Sequence, residues 1–154
     1  MFLREIRCVC DWWNGELCGD LVLGFPFEPC QRMSGNDVED FAWAVKTEDM
    51  NNVTAFVQKL GVNVRDQNQR TPMHWAADYG QVSVIEFLCK QPQVDINAKD
   101  KFGITPLLAA VYENHEAAVK ALLAHGADKT VKTPSGESIK EAAEKDSIKN
   151  LLCK

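Results

Sequence analysis

The sequence is short of several features that would each point to a particular class of protein. No apolar run approaches the roughly 20 residues that a membrane-spanning helix needs. The N-terminal residues mix charges where a signal peptide has an uninterrupted apolar stretch. There is no run of basic residues, and the net charge is −5, so nucleic acid is not expected as a partner. These absences predict an intracellular protein that works without a membrane.

The residue patterns of an active site or a metal centre are also missing. Four of the six cysteines, Cys8, Cys10, Cys18 and Cys30, fall in the first 32 residues. They form only one close pair, C-x-C, whereas zinc sites favour pairs separated by about two to four residues. An enzyme or metal-dependent sensor built on these cysteines remains the competing interpretation. With no glycine-rich phosphate loop and no Ser-His-Asp arrangement, we predict no catalysis, no metal and no cofactor.

A change in the character of the sequence at Met33 divides the chain. Residues 1–32 hold two of the four tryptophans and show no sustained helical or strand period. Small and polar residues follow Met33, and a helical pattern begins after them. We therefore predict that residues 1–32 are an appended or alternative-start extension, mostly disordered, and that residues 33–154 form the folded domain.

A pattern of about 33 residues recurs four times in the folded part. The stretch RTPMHWAADYGQ (70–81) matches ITPLLAAVYENH (104–115), with weaker copies in FAWAVKTEDM (41–50) and ESIKEAAEKD (137–146). A second apolar stripe with i, i+3, i+4 spacing follows each copy. Its members are Val53, Phe56 and Val57, then Ile85, Leu88 and Cys89, then Val119, Leu122 and Leu123, then Ile148, Leu151 and Leu152. The pattern predicts four pairs of short helices.

Individual residues mark where the first helix of each pair begins and ends. Thr71 and Thr105 are predicted N-caps whose hydroxyls accept a free backbone N–H. Each is followed by a proline, which is tolerated at the first helical position. Gly80 is expected to end its helix with positive φ. The polar segments after each pair predict an extended arm and a tight turn, so one unit is helix, turn, helix and projecting hairpin.

This unit resembles the ankyrin repeat, whose T-P-L-H-x-A pattern matches TPMHWAADYG and TPLLAAVYEN. The resemblance implies an all-α repeat fold, an ankyrin-repeat stack of helix-turn-helix units with β-hairpin-like loops. Two full central repeats would lie between two degenerate capping repeats, with approximate bounds 36–68, 69–102, 103–135 and 136–154. Each repeat would contact only its neighbours.

Residues 33–154 further resemble the small cytosolic ankyrin-repeat proteins that consist of little more than four units. FAWAVK, MHWAADYGQ, ITPLLAAVYENH and HGADKTVKTPSG carry that likeness. It implies a protein that binds the heterodimeric actin capping protein and inhibits barbed-end capping. It also implies a monomer in the cytoplasm, with the nucleus as a second location. NF-kappa-B dimers are the second candidate partner, and a different ankyrin adaptor with an unrelated client is the remaining alternative.

The predicted partner-binding surface follows from the family geometry, in which first helices and hairpins line the inner face of the stack. The candidates are Trp43, Arg70, Trp75, Asp78, Tyr79, Tyr112 and Glu113. For Trp43 and Trp75, packing between stacked helices is an equal alternative to a role as aromatic anchors. For Arg70, Asp78 and Tyr79, the alternative is that they are ordinary solvated side chains.

The histidines and the later cysteines have structural interpretations. His74 is expected to tie its own turn to an adjacent loop, as the equivalent histidine does in ankyrin-like units, and Leu108 takes the same position in the next unit. His115 and His125 fall at predicted turns and are expected to be solvated. Cys89 occupies a core position of the second stripe and is expected to act as a small apolar residue.

Overall fold

A computed structural model of the protein describes residues 37–153, which fold into eight α-helices arranged as four consecutive pairs. The predicted extension over residues 1–32 lies outside the described residues. The all-α repeat class predicted from the sequence is confirmed. The helices are α1 (Asp37–Lys46), α2 (Met50–Leu60), α3 (Pro72–Asp78), α4 (Val82–Cys89), α5 (Pro106–Tyr112), α6 (Glu116–Ala124), α7 (Ile139–Ala142) and α8 (Asp146–Leu152).

The helices form two layers. The first helices α1, α3, α5 and α7 pack on one another in sequence, and α4, α6 and α8 do the same in the second layer. Apolar side chains between the layers are fully buried, among them Phe41, Ile85 and Leu122. Each such side chain contributes roughly 1.5–3 kcal/mol relative to exposure. Lys140, which takes the place of the buried Met73 of the second pair, is exposed because it belongs to the end unit.

The helix starts agree with the sequence markers. Helices α3 and α5 begin at the predicted prolines, and Thr105 Oγ1 accepts the N–H of Leu108 at 3.4 Å. Thr71 makes a different bond, because its hydroxyl lies 2.9 Å from Nδ1 of His74. The first turn of α3 carries a capping box in which His74 Nδ1 also accepts the N–H of Thr71, so Thr71 is the N-cap that the sequence predicts.

The turn between the two helices of a pair uses the left-handed region at one repeated position. Glu48, Gly80 and Asn114 have φ of 57°, 68° and 59°. The prediction for Gly80 is confirmed, and the space around it is unusual. A Cβ at Gly80 would lie 2.7 Å from Nδ1 of His115. The predicted solvation of His115 is wrong, because its half-buried ring covers this glycine.

The residue just before each of helices α4, α6 and α8 makes a hydrogen bond to the preceding pair of helices. These residues, which we call the clasp residues, donate side-chain hydrogen bonds to carbonyls of the preceding pair. Gln81 Nε2 reaches Lys46 O at 2.9 Å, His115 Nε2 reaches Asp78 O at 2.9 Å, and Lys145 Nζ reaches Asn114 O at 3.3 Å. His125 is exposed at its turn, as predicted.

The predicted β-hairpin-like loops are tight turns without a strand ladder. Among the described residues there are no strands, and one isolated bridge joins Lys132 and Ser138. Each turn is held instead by a side chain at its start. In one of them Asp100 Oδ1 accepts the backbone N–H groups of Phe102 and Ile104. Gln69 has φ of 61° where the later turns have glycines. No helix in this part of the chain is long and apolar enough to cross a membrane.

Candidate protein-interaction surface

Large apolar side chains are exposed along the first helices and at a turn tip between pairs. Trp43, Tyr79, Phe102 and Tyr112 are 64%, 46%, 61% and 43% exposed, and no other large apolar side chain in the described part is classed as exposed. Exposed aromatic groups collected on one side of a protein mark interaction surfaces. We call this side the inner surface, and define it by Trp43, Lys46, Asp78, Tyr79, Phe102, Tyr112 and Glu113.

One lysine links the first two pairs across the inner surface. The ammonium group of Lys46 lies 5.5 Å from the ring centroid of Trp43 and 5.1 Å from that of Tyr79. Each such cation–π contact contributes about 0.5–1 kcal/mol at an exposed site. Trp43 and Tyr79, which are both predicted site residues, therefore contact the same lysine. Sequence reasoning missed Lys46, although its i+3 spacing from Trp43 on a helix is a usable signal.

The two tryptophans at equivalent repeat positions have different environments. Trp75 is only 5% exposed and packs edge-on against Phe41 of the preceding pair, with ring centroids 5.8 Å apart. Among the described helices α1 is the first of its layer, so Trp43 has no preceding helix to pack against. Trp75 therefore packs between stacked helices, which was one of its two predicted roles, while the exposed Trp43 is available to a partner.

Arg70 and Asp78 form an ion pair between Nη2 and Oδ2, and their side chains are 27% and 23% exposed. They are eight residues apart in sequence, since Arg70 precedes α3 and Asp78 is the last residue of that helix. Neither is therefore an independent, fully solvated charge. Nε of Arg70 is buried without a hydrogen-bond acceptor among the described residues. The pair neutralises both charges locally and forms one wall of a groove.

The groove lies between the second and third pairs and has a volume of about 290 Å³. It is lined by Asn68, Arg70, Asp78, Asp100, Phe102, Ile104, Ala109, Tyr112 and Glu113. Four of the predicted site residues thus meet around one depression. Sequence reasoning missed Phe102, whose signal is an aromatic residue inside an otherwise polar turn, DKFG.

His74 is a buried residue that links the segment before α3 to Ile104, which lines the groove. Its Nδ1 accepts the backbone N–H of Thr71 at 3.1 Å, and its Nε2 donates to the carbonyl of Ile104, 3.0 Å away in the next pair. Burial lowers the pKa of His74, and its side chain is fully buried. These contacts confirm the structural interpretation, since His74 ties its own turn to the adjacent loop.

The described residues bring together no group of three His, Cys, Asp or Glu side chains that could hold a metal ion. Cys89 packs against the core, as predicted, and burial raises the pKa of its thiol. A raised thiol pKa reduces the thiolate fraction, so Cys89 is a poor nucleophile. Cys153 is a free, exposed cysteine after α8.

Comparison with known proteins supplies a family match and several relatives. A family model described as "Ankyrin repeats (3 copies)" matches residues 41–133. The chain is 36% identical over 99 residues to the 26S proteasome non-ATPase regulatory subunit 10 of Dictyostelium discoideum, covering 63% of this chain and 43% of that protein. It is 33% identical over 103 residues to the probable 26S proteasome regulatory subunit p28 of Saccharomyces cerevisiae, covering 65% and 45%.

A putative glutaminase 2 of Caenorhabditis elegans is 32% identical over 96 residues, which cover 62% of this chain but 14% of that protein. The chain thus spans less than half the length of each of these curated relatives.

Proposed function

Because the chain belongs to the ankyrin repeat family, we propose that it acts by holding a partner protein on its inner surface and performs no catalysis. One observation carries this proposal: the four exposed large aromatic side chains of the described residues are grouped, since Trp43 and Tyr79 share the ammonium group of Lys46 while Phe102 and Tyr112 line one groove. Aromatic side chains concentrate binding energy at protein interfaces. Trp43, Tyr79 and Tyr112 lie on or directly after first helices that pack on one another, so we expect little ordering cost to oppose association at these three side chains.

We further propose that the partner is the heterodimeric actin capping protein, as in the myotrophin-like proteins that residues 33–154 resemble. The proposed action is occupancy, in which the inner surface covers a basic actin-binding surface of capping protein and so inhibits barbed-end capping. The net charge of −5 and the exposed carboxylate of Glu113 suit a basic partner. Charge complementarity speeds encounter and fixes orientation, while aromatic burial supplies affinity.

A second candidate partner is the 26S proteasome, since two of the relatives are named as its regulatory subunits. The partial coverage of those relatives leaves the partner of this chain a proposal in either case. NF-kappa-B dimers remain a further alternative from the sequence resemblance. A monomer in the cytoplasm, with the nucleus as a second location, is compatible with each of these partners.

Barbed-end elongation of pyrene-labelled actin in the presence of capping protein tests the favoured function. We expect the chain to restore elongation and the Trp43→Ala variant to restore it at least tenfold less effectively, since central aromatic anchors contribute about 2 kcal/mol or more. Trp43 is largely exposed and makes one cation–π contact, so its removal should lower the free energy of unfolding by no more than about 1 kcal/mol. Gln58→Ala, an exposed change in α2, is the matched control and should behave as wild type.

Persistent capping at a large molar excess of the chain would exclude capping protein as the client. Parallel pull-downs with purified capping protein, 26S proteasome and NF-kappa-B dimer then separate the alternatives. Binding of one of the other two partners, weakened by Trp43→Ala, would keep the inner surface as the binding site and change only the client.

A further inference from the structure

The exposed aromatic rings of the inner surface follow a pattern with one exception. Trp43 and Tyr79 share the ammonium group of Lys46, and Lys101 Nζ lies 4.9 Å from the ring centroid of Phe102. Tyr112 is the fourth exposed ring, and no cation of the described residues lies over it. The described residues thus supply a cation to three of these rings and none to Tyr112, which is 43% exposed.

The groove beside Tyr112 has unbalanced negative charge. One arginine, Arg70, lines it together with three carboxylates, Asp78, Asp100 and Glu113, which gives a net charge of 1 − 3 = −2. Asp78 is already paired with Arg70. Asp100 is 9% exposed, and its Oδ1 accepts backbone N–H groups of its own turn. The Glu113 carboxylate is exposed, has no partner among the described residues, and follows Tyr112 directly.

The space for a ligand exists because a small residue stands at a repeated position. Ala109 is equivalent to Trp43 and Trp75, is 4% exposed, and is one of the residues that line the groove. The groove has a volume of about 290 Å³ and opens to the surface, where Phe102, Tyr112 and Glu113 are exposed. That space accommodates one long side chain.

We propose that this groove, which we call the cation groove and define by Phe102, Ala109, Tyr112 and Glu113, binds an arginine side chain of the partner protein. The guanidinium plane stacks on the exposed ring of Tyr112 while its N–H groups donate to the Glu113 carboxylate. Arginine suits both contacts because it is planar, always charged and forked. The inference rests on the proposed function in taking the inner surface as the binding surface, and it specifies the chemistry of one contact.

An NMR titration of the ¹⁵N-labelled full chain tests the cation groove without any partner protein. The probe is the peptide acetyl-Gly-Arg-Gly-amide at low salt, and the matched control peptide replaces arginine with citrulline, which has nearly the same shape and no charge. We expect the arginine peptide to shift the amide signals of Phe102, Tyr112 and Glu113 progressively. The citrulline peptide should shift them at least fivefold less at equal concentration.

Two variants and a control complete the titration. Glu113→Gln should weaken the response to the arginine peptide at least fivefold, and Ala109→Trp should abolish it by filling the space. Glu86→Gln, an exposed carboxylate change in α4, should leave the response at its wild-type size. If Ala109→Trp does not fold, Glu113→Gln alone decides the matter. Equal responses to both peptides, or no loss in Glu113→Gln, would overturn the inference.

Binding to capping protein separates this inference from the proposed function. If the arginine peptide binds as expected but capping protein does not, the client is wrong and the cation groove stands. If capping protein binds wild type and Glu113→Gln with equal affinity while the peptide also fails, the client stands and the cation groove is overturned. If Glu113→Gln weakens capping-protein binding and the peptide response alike, both proposals are supported.

Discussion

Replacing Gly80 with alanine separates two reasons why a glycine follows α3. The residue has φ of 68°, a conformation that side chains disfavour, and its Cα faces the ring of His115. Glu48 and Asn114 adopt similar φ values at the equivalent position of the neighbouring pairs. Positive φ is therefore tolerated with a side chain there, which points to the His115 contact as the stronger constraint at Gly80.

The expected cost has two parts. The left-handed conformation costs alanine about 1 kcal/mol relative to glycine. The added Cβ would lie 2.7 Å from Nδ1 and 2.8 Å from Cγ of His115, so the ring must move, and overpacking of this kind costs about 1–3 kcal/mol. We expect Gly80→Ala to lower the free energy of unfolding by about 2–4 kcal/mol. Gly126→Ala is the matched control, because φ is 85° there and a Cβ would meet nothing within 4 Å. It should cost only about 1 kcal/mol.

Urea unfolding followed by tryptophan fluorescence and far-UV circular dichroism measures these differences, provided that the two signals coincide. A double-mutant cycle with His115→Ala isolates the contact. In the His115→Ala background, Gly80→Ala should cost only the conformational part, about 1 kcal/mol. The reasoning is refuted if Gly80→Ala costs no more than Gly126→Ala, or if its full cost persists after the ring is removed.

Three further perturbations test other parts of the stack. Burial lowers the pKa of His74, so the unfolded state binds more protons than the folded state below the ordinary value of about 6.5, and stability present above that pH is lost as the pH falls. Urea unfolding at pH 7.5 and 5.5 should show this loss in wild type and a smaller loss in His74→Leu. At pH 7.5 the variant should already be about 1–3 kcal/mol less stable, because the Ile104 carbonyl loses its donor. An equal pH dependence in both proteins would contradict this. Ala110→Leu should cost about 1–3 kcal/mol in the same assay by overpacking a fully buried site, while Ala117→Leu on an exposed face should change little. Gln69→Gly should raise the free energy of unfolding by about 0.5 kcal/mol, because glycine adopts the φ of 61° at this position without strain. The urea midpoint should rise accordingly, and a lower midpoint would contradict the presence of strain at that turn.

The order and type of the helices could be predicted because their determinants are local. Thr-Pro pairs fix the starts of α3 and α5, and the i, i+3, i+4 stripes identify the buried faces of the second helices. The same local pattern recurs in each repeat, so the helix assignment in one repeat supports the assignment in the others. The absence of a strand ladder from the described loops could not be predicted in this way, because the loops are held by side-chain bonds such as those of Asp100.

The candidate site depends on neighbours that one repeat cannot specify. Trp43 and Trp75 have the same sequence context, yet only Trp75 has a preceding described helix on which to pack. The Arg70–Asp78 pair joins the residue before the N-cap of α3 to the last residue of that helix, a contact that sequence spacing alone does not indicate. His115 stands at a turn by sequence, and only the stacking of pairs places its ring over the glycine of the previous unit.

The clasp residues have a consequence for how the stack comes apart. Each clasp joins adjacent pairs only, and the last one is a lysine-to-carbonyl bond of 3.3 Å at a surface position, beside the four-residue α7. An assembly joined only between neighbours can shed a terminal unit while the rest stays folded. The C-terminal pair should therefore detach first under heat or pulling force. Every inner-surface residue precedes it in the chain, so a bound client could remain in place while that end opens and closes.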